Sequence, residues 1–277
     1  MKIGLALGGG GVRGLAHISL LRVLEEEGIV PTAISGSSMG ALVGACIACG
    51  RNSEQLRNQV ENHVFLPEKG ISEFWRKGKD LSQWLKFFRP TIEKGAFLSA
   101  DGFLSFLLQD LETTNFEELL TPFYAVAADF QTCNKVVFSE GPLLPALKAS
   151  MAIPGVFEPV RHQGRLLVDG GVADNVPWST LDASCDAVIA IDVAGTNEDT
   201  ELEPDAISTF VSIFQRMIAR QTIQRRAIDP PVLYFKPKLS NIRGLDFARI
   251  PEVFAQAEAE TERFRAELKR HFPQLTR

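Results

Sequence analysis

Short apolar runs alternate with amphipathic stretches along this chain, and the alternation predicts its layout. Residues 2–7 form an apolar run of strand length. Gly8-Gly9-Gly10-Gly11-Val12-Arg13-Gly14 interrupts it. Leu15, Ile18, Leu21, Leu24 and Ile29 then mark one face of a helix that Gly28 caps. Pro31 bars continuation, and the run 32–34 reads as a second buried strand. Residues 39–49, rich in Ala, Leu and Cys, read as the next helix. A β-α-β-α opening of this kind calls for a parallel sheet with helices packed on it.

The same reading places a helix over 53–62 and short helical pieces at 101–111 and 116–120. A strand pair comes next over 123–129 and 135–139, then a helix over 143–151 that stops before Pro154-Gly155. A short strand over 165–168 ends in Asp169-Gly170-Gly171, and 186–193 is the clearest buried strand. A long helix over 205–227, a last strand over 232–235 and a charged terminal helix over 251–270 complete the chain. No internal repeat and no low-complexity segment interrupts this order.

Composition narrows the picture. With 277 residues, 45% hydrophobic and 23% charged, the chain can bury one large core. A net charge of −5 argues against a nucleic-acid binder. No run of about 18 apolar residues is present, so no transmembrane helix is expected. The first residues enter a strand without a signal-peptide layout, which points to a cytoplasmic protein. Cys46 and Cys49 fall within a predicted helix, and the four cysteines read as buried thiols, with no metal expected. The stretch 68–94 differs from the rest: it holds Phe74, Trp75, Trp84, Phe87 and Phe88, with seven basic residues against four acidic. It reads as a helical insert packing its aromatics on the core, as a lid over an apolar substrate, or as a contact with an anionic membrane.

The chemistry gathers in three places. Gly36, Ser38 and Gly40 spell G-x-S-x-G between a strand and a helix, the setting of a nucleophile elbow. A serine held at a helix N-terminus sits where backbone N–H groups favour negative charge. The glycine loop fits G-x-G-x-x-G at Gly9, Gly11 and Gly14, but a dinucleotide site expects an acid about 20 residues on, and Ile34 stands there. The alternative is an oxyanion hole of side-chain-free backbone, with Arg13 placing a charge near the site or capping the sheet. A serine also needs a base. Among the histidines, His17 reads as packed, His63 closes a helix, His162 lies in a turn and His271 lies in the charged tail. Asp169, displayed at a strand end before two glycines, is the better candidate; partial burial would raise its pKa and make it a better proton acceptor.

These motifs, Gly9 to Gly14, Gly36 to Gly40 and Asp169 to Gly171, stand in the order that patatin-like phospholipases show. Ala149-Ser150-Met151-Ala152-Ile153-Pro154-Gly155-Val156-Phe157, Asn175 and Pro177 add to the likeness. The chain most resembles short bacterial members near the neuropathy-target-esterase branch, and departs from many members in having Gly8 where they carry an acidic residue. The resemblance implies a three-layer α/β/α fold, with a catalytic core over 2–195; for 196–277 the pattern alone predicts a helical extension packed on that core. It implies a calcium-independent serine acyl hydrolase acting on phospholipid, lysophospholipid or related esters through an acyl-enzyme, with no cofactor. Carried over by motif, Ser38 is the nucleophile and Asp169 the base. Gly9, Gly10, Gly11 and Met39 supply the oxyanion donors, and Arg13, Gly14, Gly36, Gly40, Gly170 and Gly171 support them. The expected partner is a lipid or acyl-ester substrate, with peripheral contact at the inner membrane surface through 68–94 and no nucleic acid. The competing expectation is a catalytically idle regulatory or scaffold protein on the same fold.

Overall fold

The computed structural model describes residues 1–63, 114–181, 183–195 and 206–275. Its centre is an eight-stranded sheet: β1 (Ile3–Leu7), β2 (Ala33–Ser37), β3 (Phe123–Asp129), β4 (Lys135–Phe138), β5 (Val160–His162), β6 (Arg165–Asp169), β7 (Ala187–Ile191) and β8 (Leu233–Phe235). The strand order is β5-β6-β3-β2-β1-β7-β8, with β4 paired to β3. β3, β2, β1, β7 and β8 run parallel, while β4, β5 and β6 are antiparallel additions at one side. The sheet is therefore mostly parallel, as the opening pattern predicts.

Every residue of β1, β2 and β7 is buried, which explains why β1 and β7 read as apolar runs, while β2 buries Ser35 and Ser37 as well. Leu5, Leu7, Ile189, Ile191, Leu233 and Phe235 face a large core. That core also holds side chains of α1 (Ala16–Glu26), α2 (Met39–Ala48), α3 (Ser53–His63) and α4 (Leu143–Ser150). Ala6, Val188 and Ala190 point the other way, onto Val176, Trp178 and Leu181. Farther along the chain stand α5 (Ala206–Ile228), α6 (Ile250–Ala259) and α7 (Thr261–His271). Val253, Phe254, Phe264 and Leu268 of the last two join the large core.

Three sequence expectations need revision. The hydrophobic pattern does not show β5, which has three residues and only half-buried or exposed side chains. The single terminal helix is two helices that meet at Glu260, whose backbone (φ −96°, ψ −7°) leaves ideal helical geometry. Of the four cysteines only Cys46 is buried; Cys133 is exposed in the β3–β4 turn. Burial pushes the Cys46 thiol up to about 12, so it is inert. The expectations for 68–94 and 101–111 lie outside the described residues.

Candidate active site

The sheet register builds the site. On β3, Val126 pairs with Ser37 of β2, and the next residue, Ala127, pairs with Asp169 of β6. One step along β3 thus brings the end of β2, and Ser38 after it, to the end of β6. The two ends can touch because no side chain separates them. A Cβ on Gly170 would strike the Val126 carbonyl and lie 2.5 Å from Ser37 Oγ.

Ser38 occupies a sharp turn. Its φ of 54° and ψ of −126° are unusual for a residue with a side chain, and it is the N-cap of α2. Such a conformation costs about 1–3 kcal/mol and persists only where its surroundings impose it. The surroundings are visible. Ser38 N–H donates to Ser150 Oγ at 2.9 Å, and the Ser150 hydroxyl donates to the Val126 carbonyl at 2.6 Å. A Cβ on Gly36 would lie 2.6 Å from Ala41 N, and one on Gly40 would lie 2.7 Å from the Gly8 carbonyl. Strand, turn and helix are pressed together, and glycine is what permits the contact. Only 6% of Ser38 is exposed, and its hydroxyl stands at the N-terminus of α2, where unpaired helix N–H groups gather.

Asp169 is 2% exposed. Its Oδ1 accepts the Gly171 N–H at 2.8 Å, while Oδ2 is buried with no such partner among the described residues. Burial pushes its pKa up to about 6, against the opposing pull of the Ser38 side chain and the Gly171 amide. The serine is thus close enough to favour the ionised carboxylate.

The glycine loop forms the facing wall. Gly9 N–H is committed to the Asn175 carbonyl at 3.2 Å, and Asn175 Nδ2 donates to the Gly9 carbonyl at 3.2 Å. Gly9 is therefore clamped to Asn175 through both its amide and its carbonyl. Gly10 and Gly11 N–H have no such partner among the described residues. Gly11 has φ +60°, and a Cβ there would collide with Gly244, whose carbonyl accepts the Val12 N–H at 2.7 Å. Gly14 leaves the space in which Met39 packs. Arg13 is buried; its guanidinium donates to the Ile242 carbonyl at 3.1 Å and to Gln215 Oε1 at 2.7 Å. It ties the loop to α5. His17 Nε2 lies 2.8 Å from the Gly8 carbonyl, and burial pushes its pKa down to about 4, so the neutral ring donates there.

Gly9, Gly10, Gly11, Arg13, Ser38 and Asp169 all line one cleft that opens to solvent. Ile153 and Asn175 extend it, and Val211, Phe214, Gln215 and Ile218 of α5 roof it. Among the described residues lining it there is no histidine. His162 packs edge-on against Phe138, and His271 lies 2.9 Å from the Glu267 carbonyl in its own helix. The motifs locate Ser38 and Asp169 but do not show Ser150, Asn175 or His17 as supports. Those roles depend on carbonyls brought near by the fold. The sequence marks Ser150 and Asn175 only through the family likeness, and Ser150 also as a small polar residue at the end of an apolar helix.

Comparison with known proteins now bears on this geometry. The model of the patatin-like phospholipase family matches residues 5–182. An uncharacterised NTE family protein of Mycobacterium tuberculosis is 36% identical over 198 residues, 70% of this chain and 50% of that one. A patatin-like phospholipase domain-containing protein of Caenorhabditis elegans is 35% identical over 281 residues, covering 91% of this chain and 20% of its own length. The lysophospholipase NTE1 of Saccharomyces cerevisiae is 25% identical over 276 residues, covering 91% of this chain and 16% of that one. The chain thus spans about half the length of the mycobacterial relative and a fifth or less of the other two. Among solved structures, VipD of Legionella pneumophila superposes with a TM-score of 0.55 at 15% identity, covering 98% of this chain and 67% of that one, which speaks for the fold. With the family model matching well over half of its residues, the chain belongs to the patatin-like phospholipase family.

Proposed function

We propose that this chain is a serine hydrolase that cleaves acyl ester bonds of phospholipids or lysophospholipids. The observation that carries the reading is the pairing of Ser38, fixed at a helix N-terminus, with a buried Asp169 whose pKa burial pushes up to about 6 against the opposing pull of the Ser38 side chain. At neutral pH this carboxylate is ionised yet far more basic than an exposed one, which suits a general base. Ser38 Oγ attacks the ester carbonyl as its proton passes to Asp169. Gly10 and Gly11 N–H, with the Met39 amide at the start of α2, stabilise the developing oxyanion; loss of one such donor typically costs about 10²–10³ in rate. Asp169 then returns the proton to the departing alcohol. It next takes one from the water that opens the acyl-enzyme and hands it to Ser38 Oγ as the acyl–oxygen bond breaks, so the fatty acid leaves and the serine is restored.

The apolar roof of Val211, Phe214 and Ile218 suits an acyl chain. The dyad and amides supply base and oxyanion charge between them, so EDTA is expected to leave the rate unchanged. No described helix is long and apolar enough to cross a membrane, and we place the enzyme in the cytoplasm with its lipid reached at a membrane surface. The test is labelling by a fluorescent fluorophosphonate. The native chain is expected to label, Ser38→Ala not at all, and Asp169→Asn at a small fraction of the native rate. A folded native chain that neither labels nor hydrolyses lysophospholipid would mark an idle scaffold instead.

A further inference from the structure

α5 has two faces with different work. Val211, Phe214, Gln215 and Ile218 look into the cleft, and Gln215 is held by Arg13. The opposite face is not the polar surface expected of a helix packed on a core. Ile213 is 53% exposed, Met217 66%, Ile223 60% and Ile228 85%. Ile213, Met217, Arg220, Gln224 and Ile228 succeed one another at three- and four-residue steps, so they share one stripe. Arg216 and Ile223 flank it.

Charge on this helix is one-sided. It carries Arg216, Arg220, Arg225 and Arg226 and no acidic residue, although the chain as a whole has a net charge of −5. Arg225 pairs with the buried Asp174 and stacks on Trp178, and Arg226 stacks on Tyr234 at 4.3 Å. Arg216 and Arg220 are exposed and make no ion pair among the described residues. Large apolar side chains interleaved with exposed arginines are what a helix needs to lie in a bilayer interface. The apolar groups enter the acyl boundary while the cations meet phosphates. An acidic protein surface would accept the arginines but would offer no apolar layer for four exposed side chains.

We propose that the outer face of α5 docks on an anionic lipid bilayer, setting the roof of the cleft at the membrane where a lipid can enter beneath it. The proposal deepens the lipid-hydrolase reading and rests on it for the use of the cleft, though not for the binding itself. Each arginine near an anionic surface contributes roughly five-fold in affinity.

The experiment is sedimentation of the full chain with vesicles of phosphatidylcholine alone or with phosphatidylserine added at three lipids in ten. Hydrolysis of a soluble short-chain ester is measured in parallel. The native chain is expected to bind the anionic vesicles, to bind neutral ones far more weakly, and to be released at 0.5 M salt. Arg216→Glu/Arg220→Glu is expected to weaken binding about 25-fold or more, and Ile213→Asp/Met217→Asp to abolish it. Both pairs should keep the native melting temperature and soluble-ester rate. Equal binding to neutral and anionic vesicles, or variants that bind as the native chain does, overturns the proposal. Anionic binding that responds to the variants in a chain that hydrolyses neither ester nor vesicle lipid would uphold the docking face and defeat the hydrolase reading.

Discussion

At the scale of single residues, two ionisable groups of the candidate site are buried with opposite results. Burial raises the Asp169 pKa to about 6, leaving a carboxylate that is charged at neutral pH yet ready to take a proton. The rate of ester hydrolysis, or of fluorophosphonate labelling, should therefore fall about tenfold per pH unit below pH 6 and level off above pH 7. The same shift bears on stability. The native state holds the Asp169 proton up to a higher pH than the unfolded chain does. The group therefore destabilises the fold above pH 6, and the penalty fades as pH falls toward 4. A shift of this size corresponds to about 3 kcal/mol. Asp169→Asn, which keeps an acceptor for Gly171, should melt higher than the native chain at pH 7.5 and equally below pH 4 while losing its activity. His17 runs the other way: its lowered pKa means that stability is lost as pH falls from 6.5 toward 4. Comparing native and Asp169→Asn chains cancels that contribution. The neutral imidazole holds the Gly8 carbonyl at the root of the glycine loop, so His17→Gln, which preserves an amide donor, should retain kcat better than His17→Leu with little difference in KM.

At the scale of elements, the strand–turn–helix around Ser38 is the unit that sets the geometry, and its tolerance to change can be measured. Gly40→Ala would press a methyl group against the Gly8 carbonyl 2.7 Å away and should cost about 3 kcal/mol or more, or prevent folding. Ser150→Ala would leave the buried Ser38 N–H without its acceptor. We expect a loss of about 1–3 kcal/mol in denaturant melts, with slower labelling. This unit was legible in the sequence because the pressure between backbones leaves a spelling: small residues at Gly36 and Gly40 and a glycine loop one strand away. Other elements left no such mark. In the last two helices the buried positions Val253, Phe254, Ala257, Thr261, Phe264 and Leu268 keep helical steps straight through the break at Glu260. The pattern reads as one helix, and neither Gly nor Pro announces the bend. β5 has no apolar run at all, because its pairing with β6 depends on the turn through Gln163 and Gly164, both at positive φ. The clamp of Asn175 on Gly9 could not be read either, since those residues are 166 positions apart.

At the scale of the molecule, the Val12–Arg13 half of the glycine loop is held by residues beyond Gly195. Val12 N–H reaches the Gly244 carbonyl, Arg13 reaches Ile242 and Gln215, and α5 roofs the cleft. Behind the site, buried Asp192 accepts from Tyr234 Oη at 2.5 Å, Lys236 Nζ at 3.1 Å and the Ala194 amide at 2.8 Å, which joins the end of β7 to β8. Phe235, Phe254, Phe264 and Phe272 are each nearly inaccessible to solvent and sit in the same core as β1 and α1. Arg265 bridges to Glu26 and Glu27 at the end of α1. At roughly 2–3 kcal/mol per buried aromatic, removing these four side chains alone would cost about as much as a whole domain's net stability. A chain ended after Gly195 therefore keeps Ser38, Asp169 and every motif glycine, yet should show no cooperative melting transition and no fluorophosphonate labelling. Supplying residues 196–277 as a separate chain should restore labelling only where the two associate. A truncated chain that melts cooperatively and labels at the native rate would show instead that residues 2–195 fold and act alone, with the C-terminal segment an addition to a finished site.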